Sequence, residues 1–197
     1  AIQNHTDHRV EMIKLPSAEK TFSQLLASYR AFSELDLTHF DVVVSGKYPA
    51  WMIDHPHHVC YMLHKLRGLY DTYARTGLAT QLPPLPVELQ PLRTLLSATP
   101  ERSLLVPLFE LCELGVKRYP HLFVFPGPLT RAVIHQLDAI AQRPGAIKHY
   151  AAISSTVAQR EGYFPDAAAV SVIHPPVSGK QPQPGDGQYI FTASRID

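Results

Sequence analysis

Cysteine is scarce: Cys60 and Cys112 are the two present in 197 residues, each inside an apolar stretch, His-Val-Cys60-Tyr-Met and Phe-Glu-Leu-Cys112-Glu-Leu. Two distant cysteines make no disulfide framework, so both are expected as buried free thiols in a reducing compartment. No apolar run approaches the ~18 residues that a membrane span requires, and no signal peptide opens the chain, which together predict a cytoplasmic protein. Charge of one sign is also lacking. Eighteen Lys and Arg stand against 17 Asp and Glu, a net charge of +1, and the basic residues are scattered. Nucleic acid and an acidic membrane are therefore not predicted as main partners. Neither a Gly-x-Ser-x-Gly elbow nor a Gly-x-x-x-x-Gly-Lys phosphate loop occurs, which argues against a hydrolase and a nucleoside triphosphatase. There is no internal repeat.

What is present is the composition of one globular domain, 45% hydrophobic and 18% charged, with 18 prolines. Helical spacing of Phe22, Leu25, Leu26, Tyr29 and Phe32 predicts a helix over 17–35, with Ser17 as its N-cap. The unalternating run Val42-Val43-Val44 predicts a strand covered on both faces, and a second strand is expected over 59–63. Thr99-Pro100-Glu101 reads as the start of a helix that buries Leu105, Leu108, Phe109, Cys112 and Val116. A further helix begins near Pro128 and stops at Arg143-Pro144-Gly145. After it come a strand over 150–153, a helix capped by Ser154 and closed near Gly162, and a strand over 170–173. This succession predicts an α/β fold with a parallel sheet. The proline-rich stretch 81–91 is expected as an irregular surface insertion. Residues 175–187 have the composition of an interdomain linker, and 188–193 read as one more strand.

In such sheets ligands bind at the carboxyl ends of strands. Three polar clusters fall there: Ser45-Gly46-Lys47-Tyr48-Pro49, His64-Lys65-Leu66-Arg67-Gly68-Leu69-Tyr70-Asp71, and Ser154-Ser155-Thr156. His55-Pro56-His57-His58 invites a zinc reading, but its spacing fits no standard pattern and neither cysteine is near in sequence, so a loop is expected and no metal site.

The run Ser45-Gly46-Lys47-Tyr48-Pro49-Ala50-Trp51, followed by 58–73 from His58-Val59-Cys60 to Asp71-Thr72-Tyr73, resembles a bacterial subgroup of family-four glycosyltransferases. The resemblance continues through Phe125-Pro126-Gly127-Pro128, 150–158, Tyr163-Phe164-Pro165, Val172-Ile173-His174-Pro175-Pro176 and Ser194-Arg195-Ile196-Asp197. It implies two Rossmann-like domains facing across a cleft, the GT-B arrangement. This chain would be the amino-terminal, acceptor-side domain over 1–174, a doubly wound parallel sheet lacking the second domain. Residues 175–187 would be the linker and 188–197 the first strand of a truncated nucleotide-sugar-binding domain. Both ends are expected to be cuts in a longer protein, with the opening strand upstream of Ala1. The implied reaction is transfer of a sugar from a nucleoside diphosphate sugar to a hydroxyl acceptor, with retention and no required metal or other cofactor. Its setting would be cell-surface polysaccharide or glycolipid synthesis at the inner face of the membrane.

By this resemblance His64 matches a histidine that ends a strand and faces the donor sugar, where it would position the ring for attack; otherwise it is a satisfied interior histidine. Gly46, Lys47 and Tyr48 would touch acceptor or sugar, or form a solvated loop. Arg67 and Asp71 either pair to shape their turn or present Arg67 to a phosphate-bearing acceptor. Ser154 offers an anion the free N–H groups of a helix start, or merely caps it. Arg195 matches the first basic residue of the donor-diphosphate clamp. Its companions would lie beyond Asp197, so the chain alone is expected to be inactive. The rival reading is a non-catalytic Rossmann-like module that binds a small molecule or a protein; a purely structural interaction domain is a third. The apolar strand over 188–193 would favour homo-oligomers.

Overall fold

The computed structural model describes residues 2–176, apart from the side chains of Ile2 and Asn4. The predicted strand at 188–193, most of the linker and Arg195 lie outside the described residues. Helical elements are α1 (Ile2–His5), α2 (Phe22–Ser33), α3 (Gln90–Ser97), α4 (Leu105–Arg118), α5 (Pro128–Ala141) and α6 (Ser155–Ala158). Strands β1 (Val43–Lys47), β2 (His58–His64), β3 (His149–Ala152) and β4 (Val170–Val172) form one parallel sheet in the order β1-β2-β3-β4. The fold is thus α/β with a parallel sheet, as the alternation of elements predicts. No helix among the described residues is long and apolar enough to cross a membrane.

Local chemistry moves several boundaries. Helix α2 starts at Phe22 and not at Ser17, because Thr21 and Gln24 form a capping box: the Thr21 hydroxyl accepts from Gln24 N–H while the Gln24 side chain accepts from Thr21 N–H. Its predicted face, from Phe22 to Phe32, is buried. Helix α4 starts at Leu105 and not near Pro100, after a 3-10 turn over Arg102–Leu104. The reason is Pro107. A helix begun at Pro100 would hold Pro107 in its interior, where it lacks an N–H and clashes with the preceding turn; starting at Leu105 puts it in the first turn, where no donor is needed. Helix α6 is a single turn and does not reach Gly162.

The insertion at 81–91 is only partly superficial. Leu85 and Leu89 are buried, and Pro91 lies in the first turn of α3, a helix the proline content concealed.

The prediction that β1 is covered on both faces fails. Val43, Ser45, Cys60, Met62 and Ala152 point into the core, but Val42 and Val44 are 53% and 56% exposed. β1 is the outer strand of the described sheet, and about half of each of these two side chains faces solvent. Cys60 and Cys112 are free and fully buried, as expected, and burial raises both thiol pKa values, that of Cys60 to about 11.

Where α4 passes the 3-10 turn Pro120–Leu122, a Cβ on Gly115 would fall 2.5 Å from the Phe123 ring carbon Cζ. Phe123 is itself buried against Phe22, with ring centroids 5.5 Å apart. Gly115→Ala is expected to cost about 1–3 kcal/mol in overpacking, more than the helix propensity of alanine returns. Urea unfolding of the two forms measures the difference.

Candidate functional site at the carboxyl edge of the sheet

Because the four strands are parallel, the residues that follow them gather at one edge. Lys47 closes β1 and pairs in register with His64, which closes β2, after a register shift beyond Ser45. Gly46 lies inside β1 and not in a flexible loop. A Cβ there would come 3.0 Å from Leu63 Cδ1, so the glycine serves the close packing of β1 on β2. Lys47 also belongs to the strand, with an exposed side chain.

Lys47, Tyr48 and His64 do come together. The Tyr48 ring stands edge-on to the His64 imidazole, 5.6 Å between centroids. The Tyr48 hydroxyl donates to Glu19 Oε2 at 2.7 Å, and Lys47 Nζ lies 3.5 Å from Glu19 Oε1. Burial, reinforced by the bond to Glu19, raises the Tyr48 pKa, so the phenol stays protonated. His64 is half-buried, and its Nδ1 donates to the Lys65 carbonyl oxygen at 2.9 Å. Glu19 is invisible to strand-end reasoning because it arrives from the irregular segment before α2.

Arg67 and Asp71 form a second group. Arg67 Nε donates to Asp71 Oδ2 at 2.9 Å, the ion pair expected within one turn. The Tyr163 hydroxyl donates to Asp71 Oδ1 at 2.9 Å, and Arg160 Nη1 stands 3.7 Å from Oδ2. Burial works upward on the Asp71 carboxyl, but the bonds from Arg67 and Tyr163 outweigh it and hold its pKa below the usual value. The group ties the turn after β2 to the segment after α6. Ser154 accepts from Val157 N–H at 3.2 Å and so caps α6.

Beneath this edge lies a polar network that the sequence did not announce. Asp138, fully buried on α5, accepts from the Tyr29 hydroxyl (2.9 Å), Trp51 Nε1 (2.8 Å) and the Tyr70 hydroxyl (2.6 Å). Lys65 is 3% exposed; its Nζ donates to Gln142 Oε1 at 2.8 Å and to the Gly162 carbonyl at 2.9 Å, and stands 4.0 Å from Asp138 Oδ2. Burial lowers the Lys65 pKa, and the Asp138 charge opposes that. A cavity of about 290 Å³ opens beside Lys65, bounded by Tyr70, His135, Gln142, Gly162 and Phe164. Lys47, His64 and Ser154 do not line it.

The cluster of histidines is occupied structurally. His55 Nε2 donates to the Phe40 carbonyl at 2.9 Å while its Nδ1 accepts from His57 N–H at 3.1 Å. His58 is not in a loop but opens β2, with Nε2 2.8 Å from Ser45 Oγ. Among the described residues no three His, Cys, Asp or Glu side chains gather as a metal-holding group.

Fold and site together define an α/β protein that carries polar side chains at the carboxyl ends of a parallel sheet. No protein-family model, curated protein or solved structure matches the chain.

Two predictions arise from these buried groups. Asp138→Ala removes the acceptor for three donors and leaves Lys65 buried without its counter-charge, so a loss of about 3–5 kcal/mol is expected in urea unfolding. The second concerns acid. Burial lowers the His58 pKa from 6.5 to about 4, so the unfolded chain takes up this proton first as pH falls. The stability that His58 contributes is complete above its unfolded pKa and is lost through that window, at up to about 1.4 kcal/mol per pH unit. His135, lowered chiefly by burial, adds to the slope with the same sign. Unfolding free energies across this window should fall more steeply for the native chain than for His58→Gln.

Proposed function

We propose that this chain is the acceptor-side domain of a family-four glycosyltransferase, GT-B in architecture and retaining in outcome. The observation that carries the reading is the meeting of Lys47, Tyr48 and His64 at the carboxyl ends of adjacent parallel strands. They belong to the two sequence runs on which the resemblance rests, and they lie where ligands bind in parallel α/β sheets. A second Rossmann-like domain would face this edge and hold the nucleoside diphosphate sugar, with Arg195 at its start.

In this reading His64 and the Tyr48 ring beside it orient the donor sugar for attack by the acceptor hydroxyl, and Lys47 attracts the acceptor. Rate would come from positioning and from stabilising the departing diphosphate, the latter a task for cations outside this site. The acceptor would belong to cell-surface polysaccharide or glycolipid synthesis, with the enzyme working in the cytoplasm at the inner membrane face.

One observation favours a different reading. The cavity beside Lys65 lies apart from His64, as a non-catalytic module that takes a small molecule would have it.

The full-length gene product, screened against a panel of nucleoside diphosphate sugars, separates the two. Turnover is expected, with His64→Ala lowering kcat/KM by about 10²-fold and Lys47→Ala raising the acceptor KM more than the donor KM. A His64→Ala enzyme within a few-fold of normal removes His64 from the chemistry. Ligand binding by a folded chain with no turnover on any donor favours the module.

A further inference from the structure

We propose that His64 meets its ligand as a hydrogen-bond acceptor through Nε2, and that Lys65 is the positioning residue that sets this polarity. The inference deepens the reading of the strand edge as a sugar site and rests on it for the ligand's identity.

The ring's polarity is dictated by its partner. His64 Nδ1 lies 2.9 Å from the Lys65 carbonyl oxygen. A carbonyl has no proton to give, so the hydrogen sits on Nδ1. A neutral imidazole carries one N–H, and Nε2 is then left with a lone pair.

The carbonyl that makes this choice is itself held. β2 ends at His64, and the side chain of the next residue, Lys65, lies in the interior. There it is fixed by Gln142 at the end of α5, by the Gly162 carbonyl and by the Asp138 carboxylate, each at 4.0 Å or less. Asp138 is in turn fixed by Tyr29, Trp51 and Tyr70. The imidazole also meets the Tyr48 ring, roughly perpendicular to it, which Glu19 anchors. The ring is therefore held by two protein groups, and its orientation exists before any ligand arrives.

The consequence is a rule for the ligand. The group that meets Nε2 must bring a hydrogen, as a sugar or acceptor hydroxyl does. An ether oxygen would set lone pair against lone pair and be disfavoured, and a carboxylate or phosphate oxygen could be met only if the ring took up a second proton. The buried Lys65–Asp138 pair thus has a part in specificity although neither side chain reaches the strand edge.

Two-bond proton–nitrogen correlation spectra of the ¹⁵N-labelled chain test this, with the His64 ring signals assigned by their loss in His64→Gln. The Nδ1–H tautomer is expected in the native chain, and the Nε2–H tautomer there would overturn the proposal. In Lys65→Met the second tautomer should become comparably populated; a folded Lys65→Met with unchanged signals would overturn the role of Lys65. If that variant does not fold, Gln142→Ala, which keeps Lys65 and Asp138, decides: a smaller rise of the second tautomer is expected, and no change counts against the positioning role. These spectra need no turnover. Silence in the transfer assay would sink the glycosyltransferase reading and leave the tautomer result standing.

Discussion

The buried charge of Asp138 is the constraint around which the described structure is organised. A carboxylate out of water is tolerated only where its lone pairs are met by donors and its charge by a cation. Here the donors come from α2, from the turn after β1 and from the turn after β2, and the cation is Lys65. Each must be in place for the others to be satisfied. Among the described residues no buried side-chain N or O lacks a partner. Such a network adds less to net stability than its bond count suggests, because desolvation offsets much of the gain. Its larger effect is to join these segments to α5 in one arrangement, since any other leaves a charge or a donor unmatched.

The sheet is organised less completely. Parallel sheets ordinarily have both faces covered, yet Val42, Val44 and Ile173 are each more than half exposed. The core face, with Cys60 and Met62 fully buried, is closed by the helices and the turn around Trp51. Two apolar side chains at an outer strand are not by themselves a binding surface.

Much of this was legible in sequence, for identifiable reasons. Helices α2 and α5 were visible because their apolar residues recur with helical spacing, and the strands because short β-branched or apolar runs are bounded by turn residues. The carboxyl-edge placement of Lys47, Tyr48, His64 and Ser154 followed from a parallel sheet alone. The failures share a cause: they depend on contacts between distant segments. Asp138 looks like an ordinary polar position on an amphipathic helix; its partners lie 68 to 109 residues away, beyond the reach of any window. Lys65 reads as a solvated cation until α5 is packed against it. The start of α4 is different: Thr99-Pro100-Glu101 has the local chemistry of a helix start, and it is Pro107 in the same segment, not a distant contact, that moves the start to Leu105.

The two lysines at this edge show how the interior and the surface divide the work. Lys47 and Lys65 each follow or end a strand, and each faces a carboxylate. Lys47 is exposed, and its pairing with Glu19 at 3.5 Å is of the kind worth about 0–1 kcal/mol, so this lysine can change partners at little cost. Lys65 has no such freedom, because releasing any of its partners would leave a buried charge short of an acceptor. The edge therefore combines an exposed cation able to change partners with an imidazole whose Nδ1 is bonded to the carbonyl of a buried lysine. In the proposed sugar site, the first would admit ligands by charge and the second would discriminate among them by the direction of a single hydrogen bond, a discrimination that would depend on Lys65 and hence on Asp138.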